Sequence, residues 1–125
     1  MKVRKGTGAE LTIVGRLKEI PEIRKTQNDK SVANITLAAD SLHNNSAGKL
    51  EEYTEWFNIT VWGQAAEFIR DYCHAGMRLY IEASVKHEKE EVEDKQDKKY
   101  VFYIPKFHAF EVQPMDAIKK SEPNE

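Results

Sequence analysis

Tyr53-Thr54-Glu55-Trp56-Phe57-Asn58-Ile59-Thr60-Val61-Trp62-Gly63 is the stretch on which the reading of this chain turns. Its residues alternate as a half-buried strand requires, because successive side chains of a strand point to opposite faces. Phe57, Ile59 and Val61 form an apolar face, and Trp56, Asn58, Thr60 and Trp62 form the other. Gly63 ends the strand. Ala65, Phe68, Ile69, Tyr72 and Cys73 then recur at the spacing of one helical stripe, and Gly76 stands where a helix C-cap is expected. Beyond it, Met77, Leu79, Ile81, Ala83 and Val85 alternate with Arg78, Tyr80, Glu82, Ser84 and Lys86, which predicts another strand.

Upstream, residues 10–17 read as a strand interrupted by Gly15, a position that suggests a bulge or bend. Ile20-Pro21-Glu22 breaks the pattern, and Thr26-Gln27-Asn28-Asp29-Lys30 is a turn, since Asn and Asp tolerate left-handed backbone. Ala33, Ile35, Leu37 and Ala39 alternate with Asn34 and Thr36 in a further strand, and residues 41–52 read as a polar loop. Downstream, residues 88–99 carry six acids and four bases and read as a loop or hairpin tip. Tyr100-Val101-Phe102-Tyr103-Ile104 closes the pattern as a last strand, and Pro105 places it near an edge. Five strands with one short helix between the third and fourth make an all-β chain with the layout of an OB-fold, a five-stranded Greek-key barrel. Residues 1–8 form a basic arm, residues 9–113 the barrel domain, and residues 114–125 a short polar tail expected to be disordered.

The 125 residues suit one domain, and 40% hydrophobic content leaves a small core. A run of 18 apolar residues is absent, so no transmembrane helix is expected, and the basic start leads into no apolar stretch of a signal peptide. Cys73 is the sole cysteine, which excludes an internal disulfide framework. A soluble, cytoplasmic protein is expected. The net charge of -2 hides an asymmetry: residues 1–30 sum to +4, and residues 31–87 and 88–125 to −3 each. A basic end suits phosphate, and an acidic end repels it.

Catalytic and metal chemistry leave little trace. His43, His74, His87 and His108 stand far apart, and Cys73 lies on the apolar helix stripe as a core thiol would. Gly6-Thr7-Gly8 lacks the lysine and spacing of a phosphate loop, and the three Asn-X-Ser/Thr matches are of the kind that arises by chance. No enzyme, metal or cofactor is expected. The tryptophans carry the information. Trp56 and Trp62 face away from Phe57, Ile59 and Val61 and stand roughly 20 Å apart along the strand. Two flat rings on a polar face suit the stacking of separate bases. The other reading is that a ring covers a second small core or a subunit contact. Arg16, Arg24, Lys25, Lys30, Arg78 and Lys86 are candidate phosphate contacts, with ordinary surface charge as the other reading, and Tyr80 shares the outward face with Arg78 and Lys86.

Three groups of residues resemble the bacterial single-stranded DNA-binding protein family. Val14-Gly15-Arg16-Leu17, Pro21-Glu22-Ile23-Arg24 and Ser31-Val32-Ala33-Asn34-Ile35-Thr36-Leu37-Ala38 are similar to its opening. Thr54-Glu55-Trp56-Phe57-Asn58-Ile59 and Val61-Trp62-Gly63-Gln64-Ala65-Ala66-Glu67 resemble its third strand and helix entry, and residues 76–83 its fourth strand. The resemblance implies an OB-fold that binds single-stranded DNA with little sequence preference in replication, recombination, repair or DNA transfer. It also implies a homo-oligomer, a tetramer first and a dimer next, with Trp56 and Trp62 at two of the family's stacking positions. Other family positions differ. A loop tryptophan falls near Leu42 or His43, a second falls within Glu88-Lys89-Glu90-Glu91, and Phe57 replaces a histidine at a subunit contact. The family's long Gly/Pro/Gln-rich tail with its acidic tip is replaced by Ser121-Glu122-Pro123-Asn124-Glu125. That departure implies a short form without an obvious peptide for recruiting replication or repair enzymes, such as a copy carried by a plasmid or phage. The alternative to DNA binding is an OB-fold protein-interaction or assembly module with vestigial DNA binding.

Overall fold

Apolar residues at every second position build a strand-rich chain, of which a computed structural model describes residues 8–118. The basic arm, apart from Gly8, and residues 119–125 of the expected tail lie outside the described residues. The elements are β1 (Glu10–Leu17), β2 (Arg24–Lys25), β3 (Ser31–Asn44), β4 (Leu50–Trp62), α1 (Gly63–Tyr72), β5 (Arg78–Glu93) and β6 (Lys99–Pro114). The sheet order is β1-β5-β6-β4-β3-β2. A further pairing, Arg16 with Ala38 and Leu17 with Leu37, joins β1 back to β3 and closes a five-stranded barrel with β2 outside the ring. The fold is the OB-fold barrel that the strand order implies.

Closure happens at Gly15. A Cβ there would lie 3.0 Å from the Ala38 carbonyl oxygen and 3.0 Å from Leu37 Cβ. Glycine is therefore needed for a close backbone approach where β1 passes from β5 to β3, and the β1–β5 register runs through it without a bulge. Inside the barrel, Leu17, Ile35, Leu37, Ile59, Val61, Leu79 and Ile81 are sealed from solvent. Ala66 and Ile69 of α1, together with Met77, close one end. The Ser31 hydroxyl donates to the Glu67 carboxylate at 2.6 Å and ties that helix to the start of β3. Cys73 is a buried free thiol, pushed up in pKa by burial, as its place on the stripe predicts.

Several element boundaries differ from the sequence reading. Residues 41–52 are mostly strand: β3 and β4 stay in register out to Asn44 and Leu50, leaving only 45–49 as the connection. The run 88–99 is likewise a paired ribbon out to Glu93 and Lys99. Both ribbons project beyond the barrel and expose both faces, so their polar composition carries no period for burial to impose. β6 continues past Ile104 to Pro114, since a bulge shifts the register between Ala83–Ala109 and Glu82–Glu111 and moves the inward positions from Phe107 and Ala109 to Val112. Pro105 lies in β6 before its short pairing with β4 at Phe107 and His108, where β6 pairs in register only with β5. Gly76 is not the helix C-cap. That role falls to Cys73, and Gly76, at φ 86°, sits in the following turn and donates to the Leu17 carbonyl at 2.7 Å.

Candidate nucleic-acid interface

Alternation along β4 sets the side on which each ring stands. Ile59 and Val61 are buried, whereas Trp56 is 57% exposed and Trp62 42% exposed. Between them, two pairs of polar side chains span β3 and β4. Thr36 donates to Asn58 at 2.9 Å, and Thr60 donates to Asn34 at 3.1 Å. These bonds pair the polar side chains across β3 and β4 between the rings.

The register puts one arginine in line with each tryptophan. Trp56 pairs with Ala38, and Ala38 with Arg16. Trp62 pairs with Val32, and Val32 with Arg24. Each arginine therefore starts two strand spacings, roughly 10 Å, from its ring. Lys18 extends over the Trp56 ring at 5.7 Å from its centroid, within cation–π reach. Trp62 donates a long 3.5 Å hydrogen bond to His108 of β6. An open groove of ≈ 470 Å³ flanks the face, lined by Glu19, Ile20, Pro21, Glu22, Arg24, Asn34 and Thr36.

The expected site residues thus divide. Trp56, Trp62, Arg16 and Arg24 share this face. Lys25 and Lys30 lie at the β2–β3 turn, where Asp29 takes the left-handed backbone the sequence predicts. Arg78, Tyr80 and Lys86 stand on β5, which is not hydrogen-bonded to β3 or β4. The Arg78 guanidinium grips Asp116, with Nη2 at 2.7 Å and Nε at 3.1 Å from Oδ1. Tyr80 donates to Glu82 at 2.6 Å, and that bond, with burial and the charges of Glu82 and Glu111, raises the phenol pKa. Lys86 pairs in register with Lys106. Sequence reasoning missed Lys18 and His108. Lys18 follows the last residue of β1 and continues the outward parity of Arg16, which was a usable signal. His108 lies in the part of β6 that runs on past Pro105, beyond the strand that the sequence predicts. Near the other family positions, His43 is packed edge-on against Tyr53 at 5.3 Å.

The described residues contain no group of three His, Cys, Asp or Glu placed to hold a metal, and no helix long and apolar enough to cross a membrane. Residues 9–110 match the model of the single-strand binding protein family. This chain belongs to that family. It is a family of non-enzymatic DNA-binding proteins. The chain is 35% identical over 95 residues to single-stranded DNA-binding protein 1 of Chlorobaculum tepidum, a match covering 76% of this chain and 59% of that protein. It is 30% identical over 104 residues to the single-stranded DNA-binding protein of Xylella fastidiosa, covering 83% and 61% respectively. The matched region therefore spans about three fifths of these relatives' length. Among solved structures, the Plasmodium falciparum SSB complex with ssDNA superimposes with a TM-score of 0.70 at 19% identity, covering 91% of this chain and 100% of that one. A deletion mutant of the Thermus aquaticus single-stranded DNA binding protein gives 0.68 at 18% identity, covering 87% and 52%. At these identities the structures share the fold.

Proposed function

We propose that this chain binds single-stranded DNA without sequence preference in the cytoplasm, protecting exposed strands during replication, recombination, repair or transfer. The observation that carries the reading is the pair of exposed tryptophans on one strand face, each in register with an arginine. Bases stack on Trp56 and Trp62, while Arg16, Arg24 and Lys18 meet phosphates. Stacking accepts any base because every base has a π-face, and a backbone-tracking row of cations is equally indifferent to sequence. Lys25 and Lys30 extend the cationic rim. Titration of fluorescent oligo-dT at two salt concentrations tests the proposal. Saturable binding that weakens with salt supports it, whereas no binding at either concentration favours an interaction module instead. Within such titrations, Arg16→Ala and Arg24→Ala are each expected to flatten the plot of log K against log salt by about 0.7, the slope of one phosphate contact on a single strand. Unchanged slopes would remove these two residues from the interface.

The same reading includes self-assembly. Tyr100, Val101, Phe102 and Tyr103 are all exposed on the ribbon of β6, more apolar surface than a small monomeric barrel ordinarily shows to water. A homo-oligomer is expected, tetramer before dimer. Light scattering at micromolar concentration checks this, and a monomer with and without DNA would refute it.

A further inference from the structure

Trp56 and Trp62 stand roughly 20 Å apart along β4. No single nucleotide step covers that distance, so a strand stacked on both rings carries intervening nucleotides over the rows between them. Those rows hold Asn58 and Thr60 of β4 opposite Thr36 and Asn34 of β3. Asn34 and Thr36 also line the open groove of ≈ 470 Å³, which the segment from Glu19 to Arg24 completes. The groove therefore opens beside the path from one stack to the other.

Its chemistry suits a base better than a phosphate. Glu19 and Glu22 set two carboxylates against the Arg24 guanidinium, a balance that repels an anion. The polar floor has a direction. Asn34 Oδ1 accepts from Thr60, and Asn58 Oδ1 accepts from Thr36, which leaves each amide nitrogen to donate outward. Both asparagines are exposed, and among the described residues neither amide nitrogen has a protein acceptor. Exposed Ile20 beside Pro21 gives the flat side of a ring an apolar wall.

We propose that this groove is a base subsite between the two stacks, in which an intervening base lays its hydrogen-bonding edge on the Asn34 and Asn58 amides instead of its face on an aromatic ring. The inference rests on the reading of this face as a single-stranded DNA site and deepens it. The amides donate to a carbonyl oxygen or ring nitrogen of the base, and the groove carboxylates accept from its N–H groups. Every base carries both kinds of group on that edge, so the subsite adds affinity without selecting a sequence.

The test compares oligo-dT with an oligomer of equal length in which difluorotoluene, a thymine isostere lacking its hydrogen-bonding groups, replaces every base. The parent is expected to bind oligo-dT about tenfold more tightly. Asn34→Asp keeps an oxygen for the Thr60 hydroxyl but turns the outward donor into an acceptor, and is expected to lower that ratio to about threefold. Adding Asn58→Asp is expected to bring the ratio to within about twofold of unity. The added charge weakens both oligomers alike and leaves the ratio untouched. Trp56→Ala is expected to weaken both oligomers and keep the tenfold ratio, because stacking needs no hydrogen bond. Equal affinity of the parent for the two oligomers, a ratio that stays tenfold in the double variant, or a ratio that collapses in Trp56→Ala each overturns the proposal. A measurement on the parent does not depend on a variant folding. The side-chain amide resonances of Asn34 and Asn58 are expected to move on saturation with oligo-dT, and unmoved resonances overturn the subsite. A parent that binds neither oligomer refutes the DNA-binding reading itself, whereas a parent that binds both alike refutes only the subsite.

Discussion

Replacing Trp56 or Trp62 with alanine is expected to weaken oligo-dT binding by about 1–3 kcal/mol each, the range for loss of one base–aromatic stack. Circular dichroism is expected to stay that of the parent, because neither ring belongs to the barrel interior. The two variants differ in a way the face predicts. Trp56 touches solvent and the Lys18 ammonium, so its removal leaves the fold little changed. Trp62 donates to His108 and stands beside Val32, which is only 5% exposed despite lying on the outer face. Trp62→Ala uncovers that valine and is expected to cost about 1 kcal/mol of stability in addition to affinity. Quenching of tryptophan fluorescence by DNA should shrink with each removal. If both variants fold and assemble like the parent and bind DNA with its affinity, the stacking platform is wrong and the interaction-module reading takes its place.

The barrel was legible wherever burial acts on one face only. Phe57, Ile59 and Val61, or Met77, Leu79, Ile81 and Ala83, alternate because one side meets the core and the other meets water. The two ribbons were not legible, since Ser41, Leu42 and His43 gain no burial from lying in strands. Their pairing comes from continuing the register of β3 with β4, which no single segment encodes. The end of β6 was hidden by one bulge. The site follows the same division. Trp56 and Trp62 could be placed on the outer face from parity alone, but the alignment of Arg16 and Arg24 with them depends on which strands become neighbours. The Arg78–Asp116 ion pair shows this most clearly: its two residues are separated by 38 positions, and their spacing in the sequence gives no hint of contact.

Ile59 offers the opposite experiment on the strand that carries the tryptophans. It is 1% exposed, stands opposite Ile35 on β3 and Phe107 on β6, and lies where the parallel β4–β6 pairing completes the barrel wall. Ile59→Ala leaves a cavity that those neighbours cannot fill without moving strands held in register on both sides. A loss of about 2–5 kcal/mol is expected, and about 0.5–1.5 for Ile59→Val, in which most contacts persist. Small domains hold only about 5–15 kcal/mol in all, so the alanine variant is expected to be partly unfolded at moderate temperature. DNA binding then falls because fewer molecules carry the platform, and it recovers on addition of a stabilising osmolyte, which the loss caused by Trp56→Ala does not. Urea titration separates the cases: Ile59→Ala lowers the midpoint at unchanged slope, and Trp56→Ala leaves both near the parent values. If Ile59→Ala unfolds at the parental midpoint, the inward assignment of the odd-numbered residues of β4 is wrong, and with it the outward placement of both tryptophans.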